Sequence, residues 1–162
     1  MFITFSMAVM RMSGAIGFNP LFGKSNFPVK IRAYFVFALA LLLYLCADQT
    51  QMAYPETMAE YILMLAGELF LGAVLAFAME LAFLTIRFAS SIMDYSMGLS
   101  MAQVYDPQYG TQSTVSSGIY YAFMVLIFFA SNSHLRLLEL FYQSVQLIPF
   151  GKVTFNPMLV HV

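Results

Sequence analysis

The sequence predicts an all-α, membrane-associated protein of about four to five helices arranged as helical hairpins. Three observations carry this. Of 162 residues, 61% are hydrophobic and only 9% charged, against ~25% charged in an ordinary soluble domain. So few ionic groups leave a globular surface uncovered. Apolar runs of helical length alternate with short stretches that gather Pro, Gly and charge. Finally, 29 consecutive residues, Pro107 to Leu135, contain no Asp, Glu, Lys or Arg. The net charge of −1 argues against a nucleic-acid partner, which needs clustered Lys and Arg.

The first apolar segment, Phe2 to Ile16, carries Arg11 and is shorter than the ~20 residues of a membrane span. It lacks the basic start and small-residue cleavage site of a signal peptide, so it reads as part of the mature protein. A loop from Gly17 to Val29 follows, marked by Pro20, Gly23 and Pro28. The second segment, Ile31 to Ala47, is uncharged after Arg32 and has span length. Its single cysteine, Cys46, is expected to pack as a small hydrophobe. The next loop, Asp48 to Glu60, is acidic, with Pro55 near a helix start. The third segment runs from Met58 to about Met93, interrupted by Glu68, Glu80 and Arg87. A fourth helix is expected over Gly118 to Ala130. Ser131-Asn132-Ser133 offers an N-cap for a fifth, Leu135 to Leu147, which Pro149 and Gly151 stop. Lys24, Lys30 and Arg32 in the first loop region, against the acidic second loop, predict that the basic side is cytoplasmic and Met1 outside.

Between the third and fourth helices lies the most informative stretch, Met97-Gly98-Leu99-Ser100-Met101-Ala102-Gln103-Val104-Tyr105-Asp106-Pro107. It is polar and broken by Gly and Pro. From Gln108 to Ser117 only Tyr109 and Val115 are aliphatic or aromatic. A chain this apolar keeps such a segment where it lines water or is buried in protein. Asp106, Pro107, Gln108, Tyr109 and Gly110 read as a turn: Pro107 fixes its φ, Asp106 bonds local backbone and Gly110 permits positive φ.

Met-Gly-Leu-Ser, then Ala102, then Asp106-Pro107 resembles the central signature of the FliR family of export-gate subunits. Other pieces follow the same order. Arg11, Pro20-Leu21-Phe22-Gly23, Pro28 and Lys30-Ile31-Arg32 resemble its opening. Glu68-Leu69-Phe70-Leu71-Gly72 resembles its Glu-Leu-x-x-Gly motif, with Phe77 at an aromatic position and Ala76 where Gly is usual. Ser90 and Ser96 stand where Gly and Gln are usual. Asn132-Ser133-His134-Leu135 looks like a degraded Asn/Asp-Gly-His-His turn. Ser144 with Pro149-Phe150-Gly151-Lys152 resembles the Ser…Pro-x-Gly ending. The likeness covers residues 1–152 as the N-terminal and central region. Residues 153–162 read as a tail, in a chain expected to be truncated relative to the family. The resemblance implies a component of a flagellar type III export gate in the bacterial cytoplasmic membrane and basal body. Its implied partners are FliP-like and FliQ-like subunits, FlhB-like and FlhA-like proteins, membrane lipid and unfolded flagellar export substrates. It also implies that the loop after Met-Gly-Leu-Ser forms part of the plug that closes the pore. A virulence injectisome subunit is the near alternative.

Two helical faces stand out. Glu68, Gly72, Ala76 and Glu80 recur every four residues and share a face. Its small residues admit a close helix neighbour, and its carboxylates must face protein or water. That face serves either a subunit interface or packing inside the chain. Met93, Met97 and Met101, with Tyr105 next in register, form a soft stripe that either seals a pore or fills a core. The opposite face, Ser90, Asp94, Gly98 and Ala102, is small and polar, suited to close packing. His134 reads as a neighbour of the helix cap. No nucleophile-base set, phosphate loop or metal cluster stands out, so neither catalysis nor a cofactor is expected. A small-solute transporter would show broken helices in corresponding halves, and no such repeat is found.

Overall fold

A computed structural model describes residues 2–22, 28–46, 55, 57–99, 103–106 and 111–152. They form five helices: α1 Phe2–Gly17, α2 Val29–Cys46, α3 Met58–Ser96, α4 Val115–Ala130 and α5 Ser133–Leu147. The protein is an all-α membrane protein, as the composition predicts. α2 and α3 are each long and apolar enough to cross a membrane, and α4 with α5 would make a third span bent by 70°. α3 has 39 residues, or about 58 Å at ~1.5 Å per residue. That is roughly twice the ~30 Å hydrocarbon core of a bilayer.

α1 is the organising element. Short as it is, it packs along α3 on one side and α2 on another. Met7, Ala8, Met12, Ala15 and Ile16 form a core with Val36, Leu39, Ala40 and Leu43 of α2 and Phe141 and Val145 of α5. Two glycines set the approach of α1 to α3. A Cβ on Gly14 would overlap the Leu69 carbonyl, and one on Gly72 would overlap the Arg11 carbonyl and Ala15 amide. Backbone thus meets backbone, which only hydrogen side chains allow. Further along α3, Phe83 is buried between Tyr121 and Phe128 of α4, with ring centroids at 5.6 and 6.3 Å.

Helix boundaries follow local chemistry. Thr57 caps α3, its hydroxyl accepting from the Glu60 amide at 3.3 Å. Gly98, at φ +74°, ends it in the left-handed region that favours glycine.

Four details differ from the sequence reading. The stretch read as a turn is flanked by two short antiparallel strands, β1 Gln103–Asp106 and β2 Thr111–Thr114, with Tyr105 opposite Gln112 and Asp106 opposite Thr111. The polar run Thr111–Thr114 has strand partners because β1 lies beside it, a pairing that helical patterning does not signal. α4 starts at Val115 rather than Gly118. Asn132 holds the N-cap position of α5 without a side-chain cap bond. It stands at φ 55°, and its carbonyl accepts from the Leu135 amide at 3.0 Å. Cys46 is exposed at the end of α2, not packed.

Candidate functional site

Two places gather the residues that the sequence singles out: a buried polar node where α1, α3 and α5 meet, and the hairpin beyond α3.

The node starts from Arg11, the one charged residue of α1. An unpaired guanidinium among apolar helices is costly, so it needs partners. Arg11 and Glu68 are both fully buried, and Arg11 Nε donates to Glu68 Oε2 at 2.6 Å. Arg11 Nη1 donates to the Ser144 carbonyl at 3.1 Å, and Nη2 to the Ile148 carbonyl at 3.0 Å. These carbonyls lie in the last turn of α5 and just after it, where orphan acceptors are expected. The Phe150 ring stacks beneath the guanidinium, 4.8 Å from Cζ to centroid. Glu68 Oε1 accepts from the Gly151 amide at 3.0 Å. Gly151 adopts φ 80°, a conformation that lets the chain turn its amide onto the carboxylate. Each charged group therefore trades its water for several fixed partners, the condition under which a buried pair is tolerated.

The geometry decides the Glu68-Gly72-Ala76 face. It is not an open surface awaiting another subunit: α1 of the same chain occupies it, with Glu68 on Arg11, Gly72 against the Arg11 and Ala15 backbone, and Ala76 buried. Glu80 lies beyond the end of α1. It lines a groove with Gly17, Phe18, Phe70 and Phe77.

The second place is the end of α3. The methionine stripe does not continue as a helical face, because Gly98 breaks the helix after Met97. Met93 and Met97 are exposed, and Tyr105 is exposed on β1 rather than in helical register. Gly98 meets no heavy atom where a Cβ would stand, so it serves the turn and not a close helix contact. Asp106 pairs with Thr111 through the strands. Met101, Pro107, Gln108, Tyr109 and Gly110 lie outside the described residues. Of the opposite face, Ser90 and Asp94 are buried, Gly98 lies in the turn and Ala102 lies outside the described residues; Asp94 Oδ2 accepts from the Ser116 amide at 3.2 Å. Thr114 makes no side-chain cap bond to α4. Asp94 supplies one from another helix, where its negative charge also suits the helix dipole.

Sequence reasoning missed three of these partners: Gly14, the Gly151 amide, and Asp94 as a cap. The single charge in α1 and the first carboxylate within the apolar run of α3 were the available signal for the pair, since an intramembrane charge calls for an opposite one.

The motifs at Arg11, Glu68-x-x-x-Gly72, Ser144 and Pro149-Phe150-Gly151 thus converge on one node. Residues 2–162 match the model of the family described as bacterial export proteins, family 1. The chain belongs to this family. It is 31% identical over 148 residues to the flagellar biosynthetic protein FliR of Bacillus subtilis (strain 168), covering 91% of this chain and 56% of that protein. It is 32% identical over 89 residues to FliR of Escherichia coli (strain K12), covering 55% and 34%. With FliR of Buchnera aphidicola subsp. Baizongia pistaciae it shares 23% over 148 residues, covering 91% and 57%. The chain spans little more than half the length of the Bacillus and Buchnera relatives. It is thus a FliR-family chain with apolar helices of span length.

Proposed function

We propose that this chain is a structural subunit of the flagellar type III export gate, and that its β1–β2 hairpin forms part of the plug of the export pore. The observation that carries this is the hairpin itself. Its strands are polar, Gln103, Tyr105 and Gln112 are exposed, and it is inserted between two apolar helices. A two-stranded ribbon leaves outer edges whose backbone groups lipid cannot satisfy. It must meet water or other protein, and an isolated two-stranded hairpin is marginal on its own. Partner subunits around a water-filled passage supply both conditions. Met93 and Met97 lead into it as a pliable apolar approach.

On this reading the chain assembles with FliP-like and FliQ-like subunits in the cytoplasmic membrane at the basal body, beside FlhB-like and FlhA-like proteins. It passes unfolded flagellar proteins and supplies neither catalysis nor energy. Lys30 and Arg32, with Lys24, which lies outside the described residues, face the cytoplasm. Side-specific labelling of Lys24→Cys tests that orientation, on a Cys46→Ser background because Cys46 is exposed. Labelling from outside only overturns it. The plug is tested by deleting Gln108 to Gln112. The complex should still assemble, while small ions or dyes leak through the membrane. A tight complex that exports normally rules the plug out, and lost assembly makes the segment part of the packing instead.

A further inference from the structure

We infer that Asp94 is a positioning residue for the β1–β2 hairpin: its bond to the start of α4 holds the base of the hairpin against the end of α3, and the hairpin swings away when that bond opens. The effect of that swing on the pore rests on the plug reading above; the hold on the hairpin does not.

The hairpin has little else to seat it. No residue whose exposure is described in either strand is buried, so apolar packing does not fix its place. Its ladder joins strand to strand, with Thr114 opposite Gln103 at the base, and says nothing of the helices. β2 runs straight into α4, since the strand ends at Thr114 and the helix starts at Val115. Whatever grips the first turn of α4 therefore grips the hairpin. Asp94 does so from α3: it is 1% exposed, and its Oδ2 accepts from the Ser116 amide at 3.2 Å. Further down, Phe83 against Tyr121 and Phe128 keeps α4 on α3. What opens is then the first turn of α4 and the hairpin it carries, not the helix pair. The other connection offers a pivot. Gly98 stands at φ +74°, and a Cβ there would meet nothing within 4 Å, so no neighbour blocks rotation. A few residues at element ends are enough for such a hinge.

The joint is also poised. The Thr114 and Ser116 hydroxyls lie beside the carboxylate, yet Asp94 Oδ1 and Thr114 Oγ1 are buried without completing a hydrogen bond. Buried oxygens without partners are destabilising, and water satisfies them. Opening the joint wets both, which offsets part of the loss of the Ser116 bond. The seated and released hairpin therefore lie close in free energy, and a contact that favours one of them shifts the balance.

The test uses the full chain in its purified membrane complex, on a Cys46→Ser background. Spin labels go on Phe88→Cys in α3 and Gln112→Cys in β2, both exposed positions. Double electron–electron resonance should give one dominant distance between them. Asp94→Ala should raise the share of a second distance about fivefold, the population change that the usual loss of a cap corresponds to. Asp94→Asn keeps an acceptor and should show a smaller rise. An unchanged distribution in Asp94→Ala, with faster hydrogen exchange at Ser116, would make Asp94 a helix cap only and overturn the inference. Should Asp94→Ala fail to assemble, Ser116→Pro removes the donated N–H from the other side, in the first helical turn where proline is tolerated. It must bring up the same second distance, and a distribution like the parent's overturns the hold. Ion leak through vesicles separates the two readings. A second distance with leak supports both, whereas a second distance without leak keeps Asp94 as the positioning residue and removes the plug.

Discussion

The two ends of α3 treat polar groups in opposite ways. Near its start, Glu68 is sealed from solvent and every partner is internal: Arg11 from α1 and the Gly151 amide from the segment after α5. Near its finish, the helix stops at Ser96, and the chain runs out into a hairpin whose Gln103, Tyr105 and Gln112 are exposed. The first end spends its polarity on fixing one packing of three helices. The second presents polarity outward from a protein otherwise short of it. In an apolar chain, then, a charged residue is not in itself a functional signal. A polar group whose bonds close within the chain holds the fold. One held outward, in a segment whose strand edges lipid cannot solvate, points to a partner or to water.

The sharpest way to break this comparison is Arg11→Met. It leaves the Glu68 carboxylate buried without its cation, a change that costs ~3–5 kcal/mol. The full chain should fall to trace levels in membranes, read by immunoblot, and any purified complex should melt far lower in detergent. Arg11→Met with Glu68→Met replaces the pair by apolar side chains and should recover much of the accumulation, since such swaps are often near neutral. A double variant as poor as the single one would show that the two charges are not energetically coupled.

Glycines sharpen the same contrast. Gly72→Ala pushes a methyl into the α1 backbone, which gives way less readily than a side chain would, so about 1–3 kcal/mol is lost. Gly98→Ala meets open space and loses only the ease of a positive φ, about 1 kcal/mol. Thermal melting of the two variants should keep that order. Equal shifts, or a larger one at Gly98, would mean that the helix crossing is looser than the structure has it.

Much of the fold was legible in advance for a plain reason: apolar runs bounded by Pro, Gly and charge define helices through composition and local chemistry alone. The starts at Phe2 and Met58 and the end at Leu147 follow from these. Less legible was anything set by distant parts of the chain. The face Glu68-Gly72-Ala76 announced a close neighbour, but no spacing within α3 says whether that neighbour is another subunit or α1. Gly14 went unremarked, and Gly151 stood out only as a helix stop and part of a motif, until α1 and the end of α5 came together over Glu68. The hairpin escaped notice because its strands are four residues each and polar, without the alternation that marks a half-buried strand. The methionine stripe assumed a helix through Gly98, and the positive φ there ended it.

The smallest predicted effect lies at the boundary between the two regions. Asp94 is buried at the far end of α3, and its carboxylate accepts from the Ser116 amide in the first turn of α4. The first turn of any helix has amides without intrahelical acceptors. Here Thr114 offers no side-chain bond of its own, so Asp94 supplies the cap from across the helix pair. Asp94→Ala should cost about 1 kcal/mol, the usual loss of a cap. Asp94→Asn should recover part of it, since Asn caps well but lacks the charge that suits the dipole. The effect should stay local. Hydrogen exchange should quicken at Ser116 and its neighbours in α4. Amides around Arg11 should keep their protection, because Glu68 and Asp94 stand about 39 Å apart along α3 at ~1.5 Å per residue, and distant sites add independently. If Asp94→Ala instead loosened the Arg11 node, the two ends of α3 would form one cooperative unit, and the contrast between a closed and an open end would fail.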